Sequence, residues 1–549
     1  MTSPSNATPS AAADFSHYLP PGVYINPQPG PQLAVNPTQP NAVGLVGKTL
    51  GYRTWLETVQ VPADASAGVP APTATLGQRV YNTPGLAGIN LSTLVVTDLT
   101  SGSNLVLGTD YTIVTPTGQL GAGNASVSGS GSATIPAGCY ALQRVTTGHA
   151  SALDYLQVTY QYTDPTYYQP TIFYDYADLV RAYGAPFNTA TGAIQSELTL
   201  MAKFAFLNGA YNVVCAAVKP TGSGGAATTG DYTTALGNLE NQNLVAVVCE
   251  ASGQVPMIQQ VQLHVDNQSA NRYERRGICG IDGTTTAGIP TASQRISYAG
   301  TIQDSRVAIV CPTTFNYYSP ELSKQVVLGG QYMAASLAGI TVSQSFAVPL
   351  TRKQVTGWAG VNELEAEGQK NLESQNGLCV VELSRTGLIQ VRHGVSTNYS
   401  SMLSREWSIV GQQDAMTYRL RDYLESDNLI GQPIYPYTLV NVKGSADAAL
   451  QSLIRDGLIV DYTGLACRQL ASNPDVLQVS FSWLPAFPLN YIVVSFQVSL
   501  TTGGVSAISG TSTNPANVTS AGSTTGTVGA PSTPTNELFG GASNTLKST

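Results

Sequence analysis

Apolar and polar positions change rhythm several times along the chain. Residues 1–20 are almost entirely Ser, Ala, Thr and Pro, whereas "NAVGLVGKT" at 41–49 is a continuous apolar run that predicts a buried strand. Residues 56–80 are rich in Pro and Ala and predict a linker. From about 85 to 164 apolar positions alternate in "LSTLVVTDL", "GTDYTIVT", "ASVSGSGSATI" and "LDYLQVTYQYT", separated by Gly-rich turns and ending at "TDP". Period-two alternation of that kind predicts a small β-domain inserted into a surrounding fold.

From 166 the period lengthens. Helices are predicted over 175–184 and 194–209, closed by Gly184 and Gly209, and over 232–240, 256–268 and 323–339. Strands "AYNVVCAAV", "NLVAVVCE", "RGICGID" and 306–312 fall among them. Strands alternating with helices predict an α/β layer on a mostly parallel sheet. The stretch 351–500 reads as α+β. It is helical near 362–375, 414–426 and 445–457, with strands "GLCVVEL", "GLIQVRHG", "IVDYTG", "VLQVSFSW" and "YIVVSFQVSL" (491–500). The Gly/Ser/Thr/Asn-rich residues 501–549 cannot bury enough to fold alone and predict a flexible tail. The expected fold class is therefore mixed α+β and multidomain. An N-terminal arm (1–27) precedes an α/β core (28–84 plus 165–350) that carries the inserted β-domain (85–164), an α+β C-terminal domain (351–500) and the tail (501–549).

At 549 residues the chain is too long for a single core. Charged residues are 11%, well below the usual quarter, so the expected surface is polar with little charge. A net charge of −8 argues against a nucleic-acid partner, whose footprint would be basic. With 28 Tyr against 11 Phe, many aromatic positions suit half-buried places at interfaces. The cysteines at 139, 215, 249, 279, 311, 379 and 467 are widely spaced and odd in number. Several sit in apolar strands, which reads as buried free thiols in a chain made in a reducing compartment. The first basic residue is Lys48, so no leader is read at the N-terminus, and no apolar run approaches membrane-spanning length. Synthesis in the cytoplasm and no membrane insertion are expected.

Chemistry was sought and not found. "GLVGKT" at 44–49 resembles a phosphate loop, but Ala42 stands where the first Gly is needed, and a core strand and turn explains it better. Neither G-x-G-x-x-G after a strand nor G-x-S-x-G occurs. His17, His149, His264 and His393 stand alone, without metal-ligand spacing. Glu363, Glu365, Glu367 and Glu373 suggest a carboxylate pair, but a solvated helix face is the simpler reading. The N-x-S/T sequons carry no glycan without secretion. No catalytic residue, cofactor or metal is expected.

One feature asks for a partner. In "PPGVYINPQPG" the strand-forming Val23, Tyr24 and Ile25 lie among Pro20, Pro21, Pro27 and Pro29, which suits a sheet edge or a lone extended arm. Nothing upstream can pair with them. The C-terminal region then resembles the contractile tail sheath proteins of bacteriophages and related injection machines. The resemblance rests on "GWAGVNEL" (357–364), "SQNGLCVVEL", "GLIQVRHGVSTN" (387–398), "REWSIVGQQDAMTYRLRDYLES" (405–426), "ALQSLIRDGLIVDY" (449–462) and "VLQVSFSWLPAFPLNYIVVSFQV" (476–498), in that order. "LPPGVYINPQPGP", "DYADLVRAYG" and "FLNGAYNVVCAAV" resemble earlier parts of the same family, and the β-insertion resembles the decoration domain of many sheaths. The tail 501–549 and the long Pro/Ala linker depart from its pattern.

The resemblance implies a structural protein of the virion tail that is not an enzyme and is assembled in the host cytoplasm. It implies hexameric rings stacked helically around a tail tube, with baseplate and tail terminator proteins at the ends. It implies contraction that drives the tube through the host envelope for genome delivery. Linking strands would be exchanged between subunits: Val23, Tyr24 and Ile25 at one end, and Ile492, Val493, Val494, Ser495, Phe496, Gln497 and Val498 at the other. Prolines beside such a strand cut its ordering cost and deter wrong pairings. Tube contact in such proteins comes from the C-terminal domain, and Asp447, Arg455 and Asp456 on the helix at 445–457 are the candidates. The inserted β-domain would face outward. The alternative is another self-assembling shell or tube protein without contraction. A secreted adhesin predicts a leader and disulfides, and an enzyme predicts converging carboxylates or a nucleophile pair.

Overall fold

The computed structural model describes residues 41–60, 73–76, 89–115, 118–120, 126–127, 140–145, 148–149, 154–162, 166–285, 288–426 and 429–495. The arm with Val23, Tyr24 and Ile25, the residues Phe496, Gln497 and Val498, and the tail 501–549 lie outside the described residues.

Strand β1 (Ala42–Gly47) is buried at all six positions, as a continuous apolar run in a two-sided layer requires. Next come β2 (Arg53–Gln60), β3 (Thr73–Leu76), β4 (Ile89–Asp98), β5 (Tyr111–Thr115), β6 (Gly118–Leu120), β7 (Ser126–Val127), β8 (Tyr140–Arg144) and β9 (Tyr155–Tyr162). They form two antiparallel sheets, ordered β2-β9-β4 and β3-β8-β5-β6-β7, over a core of Val96, Ile113, Leu142, Leu156, Val158 and Tyr160. β3 and the second half of β2 lie inside the predicted 56–80 linker. The half-buried side of β2 carries Arg53, Trp55, Glu57 and Val59, so two charged residues mask its alternation. Tyr160 Oη donates to Glu57 across the pair at 2.9 Å.

The chain then gives β10 (Thr171–Phe173), α1 (Tyr176–Tyr183), α2 (Glu197–Leu207), β11 (Asn212–Ala217), α3 (Thr229–Asn238), β12 (Leu244–Cys249), α4 (Val255–Ala270), β13 (Arg276–Gly280), α5 (Ala292–Ile302) and β14 (Val307–Cys311). Side chains of Asp175, Ser196, Thr228 and Thr291 cap α1, α2, α3 and α5. After these come β15 (Thr314–Ser319), β16 (Lys324–Gly329), α6 (Gly330–Ser343), β17 (Gly360–Val361), α7 (Glu367–Gln375), β18 (Leu378–Leu383) and β19 (Ile389–Val391). An eight-stranded sheet is ordered β10-β11-β1-β12-β13-β14-β18-β19, with its inner six strands parallel and both edge strands antiparallel. Helices α2 and α6 cover one face through Met201, Phe204, Met333 and Leu337, while α3, α4 and α5 cover the other through Leu236, Ile258, Val261 and Ile302. Gly339 lets α6 approach α2, since a Cβ there would meet the Ala205 carbonyl oxygen at 2.3 Å.

Two readings change here. The single helix predicted over 323–339 is β16 followed by α6. Gln325, Val326 and Val327 pair with β15 along its whole length, and the Gly329–Gly330 step ends the strand and starts the helix. The central layer also does not stop at 350, because β18 and β19 complete the sheet beyond β14.

The remaining elements are α8 (Met402–Arg405), α9 (Trp407–Ser426), α10 (Pro436–Arg455), β20 (Ile459–Gln469) and β21 (Leu477–Pro485). Both long helices start earlier than predicted. Trp407, Ile409 and Val410 are buried in the first turn of α9, and Pro436 occupies the first position of α10, where its missing N–H costs nothing. Ile409, Met416, Leu420, Ala446, Leu450, Leu453, Ile459 and Trp483 form a further core with Val245 and Phe346.

Candidate subunit interface

The hairpin of β20 and β21 is a two-stranded sheet, so among the described residues each strand has one unpaired edge. A lone two-stranded sheet is marginal in water. This one is anchored by Trp483, Tyr462, Leu465, Val479 and Phe481 against α9 and α10. Most of β20 is exposed or half-buried along its length. An open edge of this size is a template for pairing with another strand.

Past β21 the backbone is fastened at two points. Gln412 of α9 holds Ala486 through Nε2 to the carbonyl (2.9 Å) and the N–H to Oε1 (2.8 Å). Asn490 Nδ2 donates to Glu406 Oε1 at 3.2 Å, and His393 Nε2 lies 3.0 Å from the same oxygen. Burial alone would raise the Glu406 carboxyl, but His393, Arg405 and Asn490 hold it below the usual range. By contact, Met1–Tyr491 and Ile492–Thr549 are separate units. Leu489 and Tyr491 are 78% and 77% exposed, and Ile492, Val493 and Val494 are 77%, 89% and 77% exposed. Residues Ile492–Ser495 form no strand in the chain. These three consecutive β-branched side chains form an exposed apolar run.

The three candidates for tube contact on and beside α10 differ. Asp447 accepts from Gln451 Nε2 (2.7 Å) and from the Tyr462 hydroxyl, and Asp456 pairs with Arg419 Nη1 at 2.6 Å. Both carboxylates are thus engaged by their own chain, and Arg455, 76% exposed, lies with its Nε 3.7 Å from Asp456 Oδ1. Sequence reading missed the other end of the helix. Tyr435 and Tyr437 stack at 5.3 Å between ring centroids, and Val440 stands beside them in sequence, all three exposed. Their signal was the 437/440 spacing on a helix that starts at Pro436.

His17 lies outside the described residues, and several of the other residues weighed for chemistry have structural partners. Lys48 Nζ pairs with Glu250 at 2.9 Å where β1 and β12 end, the place where such sheets usually take ligands. His264 Nε2 meets Arg275 Nη1 at 3.2 Å, and His149 meets Asp110 at 2.7 Å. Cys215, Cys249, Cys279, Cys311 and Cys379 are buried free thiols and Cys467 is half-buried. The solvated face expected for Glu363, Glu365, Glu367 and Glu373 is not found. α7 begins only at Glu367, and Glu363, Glu365 and Glu373 turn inward onto the buried Arg295, leaving Glu367 outside. Among the described residues no group of His, Cys, Asp or Glu is placed to hold a metal, and no helix is long and apolar enough to cross a membrane.

A mixed α+β fold with an open-edged hairpin and an exposed apolar segment after it defines a structural, self-associating class of protein. No family model matches the chain. The tail sheath protein of Mycobacterium phage Bxz1 is 38% identical over 591 aligned residues, covering 91% of this chain and 99% of that protein. The chain therefore belongs to the phage tail sheath proteins, structural components of the virion tail. Solved structures similar to it include the helical sheath of the anti-feeding prophage in its contracted state, at 12% identity and a TM-score of 0.46, covering 61% of this chain and 90% of that one. Another is the sheath tail protein of Desulfitobacterium hafniense, at 12% identity and a TM-score of 0.42, covering 87% and 100%.

Proposed function

We propose that the chain polymerises with itself as hexameric rings stacked helically around a tail tube, and that the sleeve contracts to drive the tube through the host envelope during genome delivery. Baseplate and tail terminator proteins close its two ends, and assembly takes place in the host cytoplasm. The subunit acts without catalysis, cofactor, nucleic acid or membrane insertion. Its work is a change between two packings of preformed domains.

Subunits are joined by strand exchange. Val23, Tyr24 and Ile25 from one neighbour, and Ile492 through Val498 from another, add to the two open edges of the β20–β21 hairpin. Each main-chain hydrogen bond so formed contributes about 1 kcal/mol net. A single graft is weak, but two per subunit repeated around and between rings make each bond effectively intramolecular. The observation that supports this reading is the exposure of Ile492, Val493 and Val494 beside a β20–β21 hairpin whose two outer edges are unpaired among the described residues. Arg455 faces the tube, and the sheets built from β2 to β9 face outward.

Electron microscopy of the purified full-length chain beside a deletion of residues 1–27 tests the proposal. Hollow striated sleeves from the full chain and none from the deletion are expected. Sleeves of equal length from both would refute strand exchange by the N-terminal arm.

A further inference from the structure

We propose that Glu365 carries a proton that it donates to the orphaned Glu373 Oε2 inside the Arg295 cluster, making the segment from Glu363 to Gln375 a latch on α5 that acid tightens and that loosens as pH rises. The Arg295 side chain is 2% exposed. Its Nη1 donates to Glu363 Oε2 (2.9 Å) and the Pro290 carbonyl (3.1 Å). Its Nε (3.0 Å) and Nη2 (2.6 Å) both reach Glu373 Oε1, and Nη2 also meets Glu365 Oε1. Three carboxylates thus converge on one guanidinium.

Their surroundings separate their roles. Glu363 Oε1 accepts from the Thr313 N–H (2.8 Å), Thr313 Oγ1 (2.6 Å) and Thr314 Oγ1 (2.8 Å), so that oxygen is fully engaged by donors. Glu373 is fully buried, and its Oε2 has no hydrogen-bond partner. Leaving a charged oxygen in that condition is expensive. Glu365, at 8% exposure, receives only Gln369 Nε2 (3.3 Å) beside Arg295. A proton on Glu365, donated to Glu373 Oε2, satisfies the orphaned oxygen and removes one of the two surplus negative charges.

Among the described residues, the neighbouring cations are engaged elsewhere. On α7, Lys370 is held by Glu367 (2.8 Å) and lies 3.6 Å from Glu382 of β18, and Arg392 bridges the same two carboxylates. On β14, burial raises the Cys311 thiol well above its usual range, so it remains neutral. On α4, which packs against α5, Asp266 is engaged with Asp304 and Arg306. Burial, reinforced by Glu373 and Glu363 and opposed by Arg295, pushes the Glu365 carboxyl up to about 7.

The latch fastens α7, which leads directly into β18 of the central sheet. Hydrogen exchange of the full-length chain across pH 5.5–8.5, corrected for the intrinsic pH dependence of exchange, reads it. Protection of peptides covering 367–375 is expected to fall as pH rises from 5.5 to about 7, by up to about tenfold per pH unit for one linked proton, and to level off above it. Glu365→Gln, which keeps an acceptor for Arg295 and mimics the protonated acid, is expected to make that protection independent of pH. A flat wild-type profile would overturn the proposal without recourse to any variant. So would the same slope in wild type and Glu365→Gln.

Discussion

The buried side-chain amide of Gln412 pairs with both backbone groups of Ala486, at 2.9 and 2.8 Å, as a neighbouring strand would. It fixes the point at which the chain leaves β21, one residue after Pro485. The exit of the exposed segment is therefore set by a helix rather than by the sheet.

Gln412→Leu removes both bonds and leaves the Ala486 groups to find water. A loss of about 2–3 kcal/mol is expected, with new protease cutting near Phe487. Gln412→Glu keeps only the acceptor and sets a carboxylate oxygen against the Ala486 carbonyl in a buried site, so it should cost at least as much. Urea unfolding with limited proteolysis checks both.

Arg421 of α9 and Glu274, just before β13, form a two-pronged ion pair, with Nη1 to Oε2 at 3.1 Å and Nη2 to Oε1 at 2.5 Å, and both side chains are buried. This pair ties the C-terminal helices to the central sheet. Arg421→Met strands a buried carboxylate, so about 3–5 kcal/mol of destabilisation is expected. The double variant Arg421→Met with Glu274→Met should recover most of that loss, because an apolar pair of similar volume carries no stranded charge.

His264 gives the fold an acid-sensitive element. Burial first, and the Arg275 charge second, lower its imidazole to about 3 from an ordinary 6.5. A lowered value means that the folded chain resists protonation. The stability this group contributes is complete above about pH 6.5 and is lost as pH falls toward 3, at most about 1.4 kcal/mol per pH unit. His264→Gln, still able to accept from Arg275, should flatten thermal stability over that interval. Melting temperatures across pH 3.5–7 would reveal it.

The sequence made the central sheet legible because its strands are buried on both faces and read as unbroken apolar runs, as in "NLVAVVCE" and β12. Helix ends were legible where Gly184 and Gly209 take positive φ angles of 85° and 98°. Strand β2 was not, because Arg53 and Glu57 occupy its inward side. β16 was not, because two valines before a glycine pair suit a helix or a strand until β15 supplies the ladder. The acidic cluster misled for a related reason. Glu363 and Glu365 lie in the irregular segment before α7 rather than on a helix, and their cation Arg295 lies on α5. The run after Pro485 reads as a strand over 491–500, but its described residues Tyr491–Ser495 form none, and Phe496 onward lies outside the described residues.

The central claim is exchange of terminal strands between subunits. An electron cryo-microscopy reconstruction of the assembled sleeve, at a resolution that traces side chains, tests it most directly. The account predicts Ile492–Val498 of one subunit, and Val23–Ile25 of another, hydrogen-bonded to the outer edges of β20 and β21 in a third. Finding both segments paired within their own chain, or the two hairpin edges open to solvent in the sleeve, would contradict it.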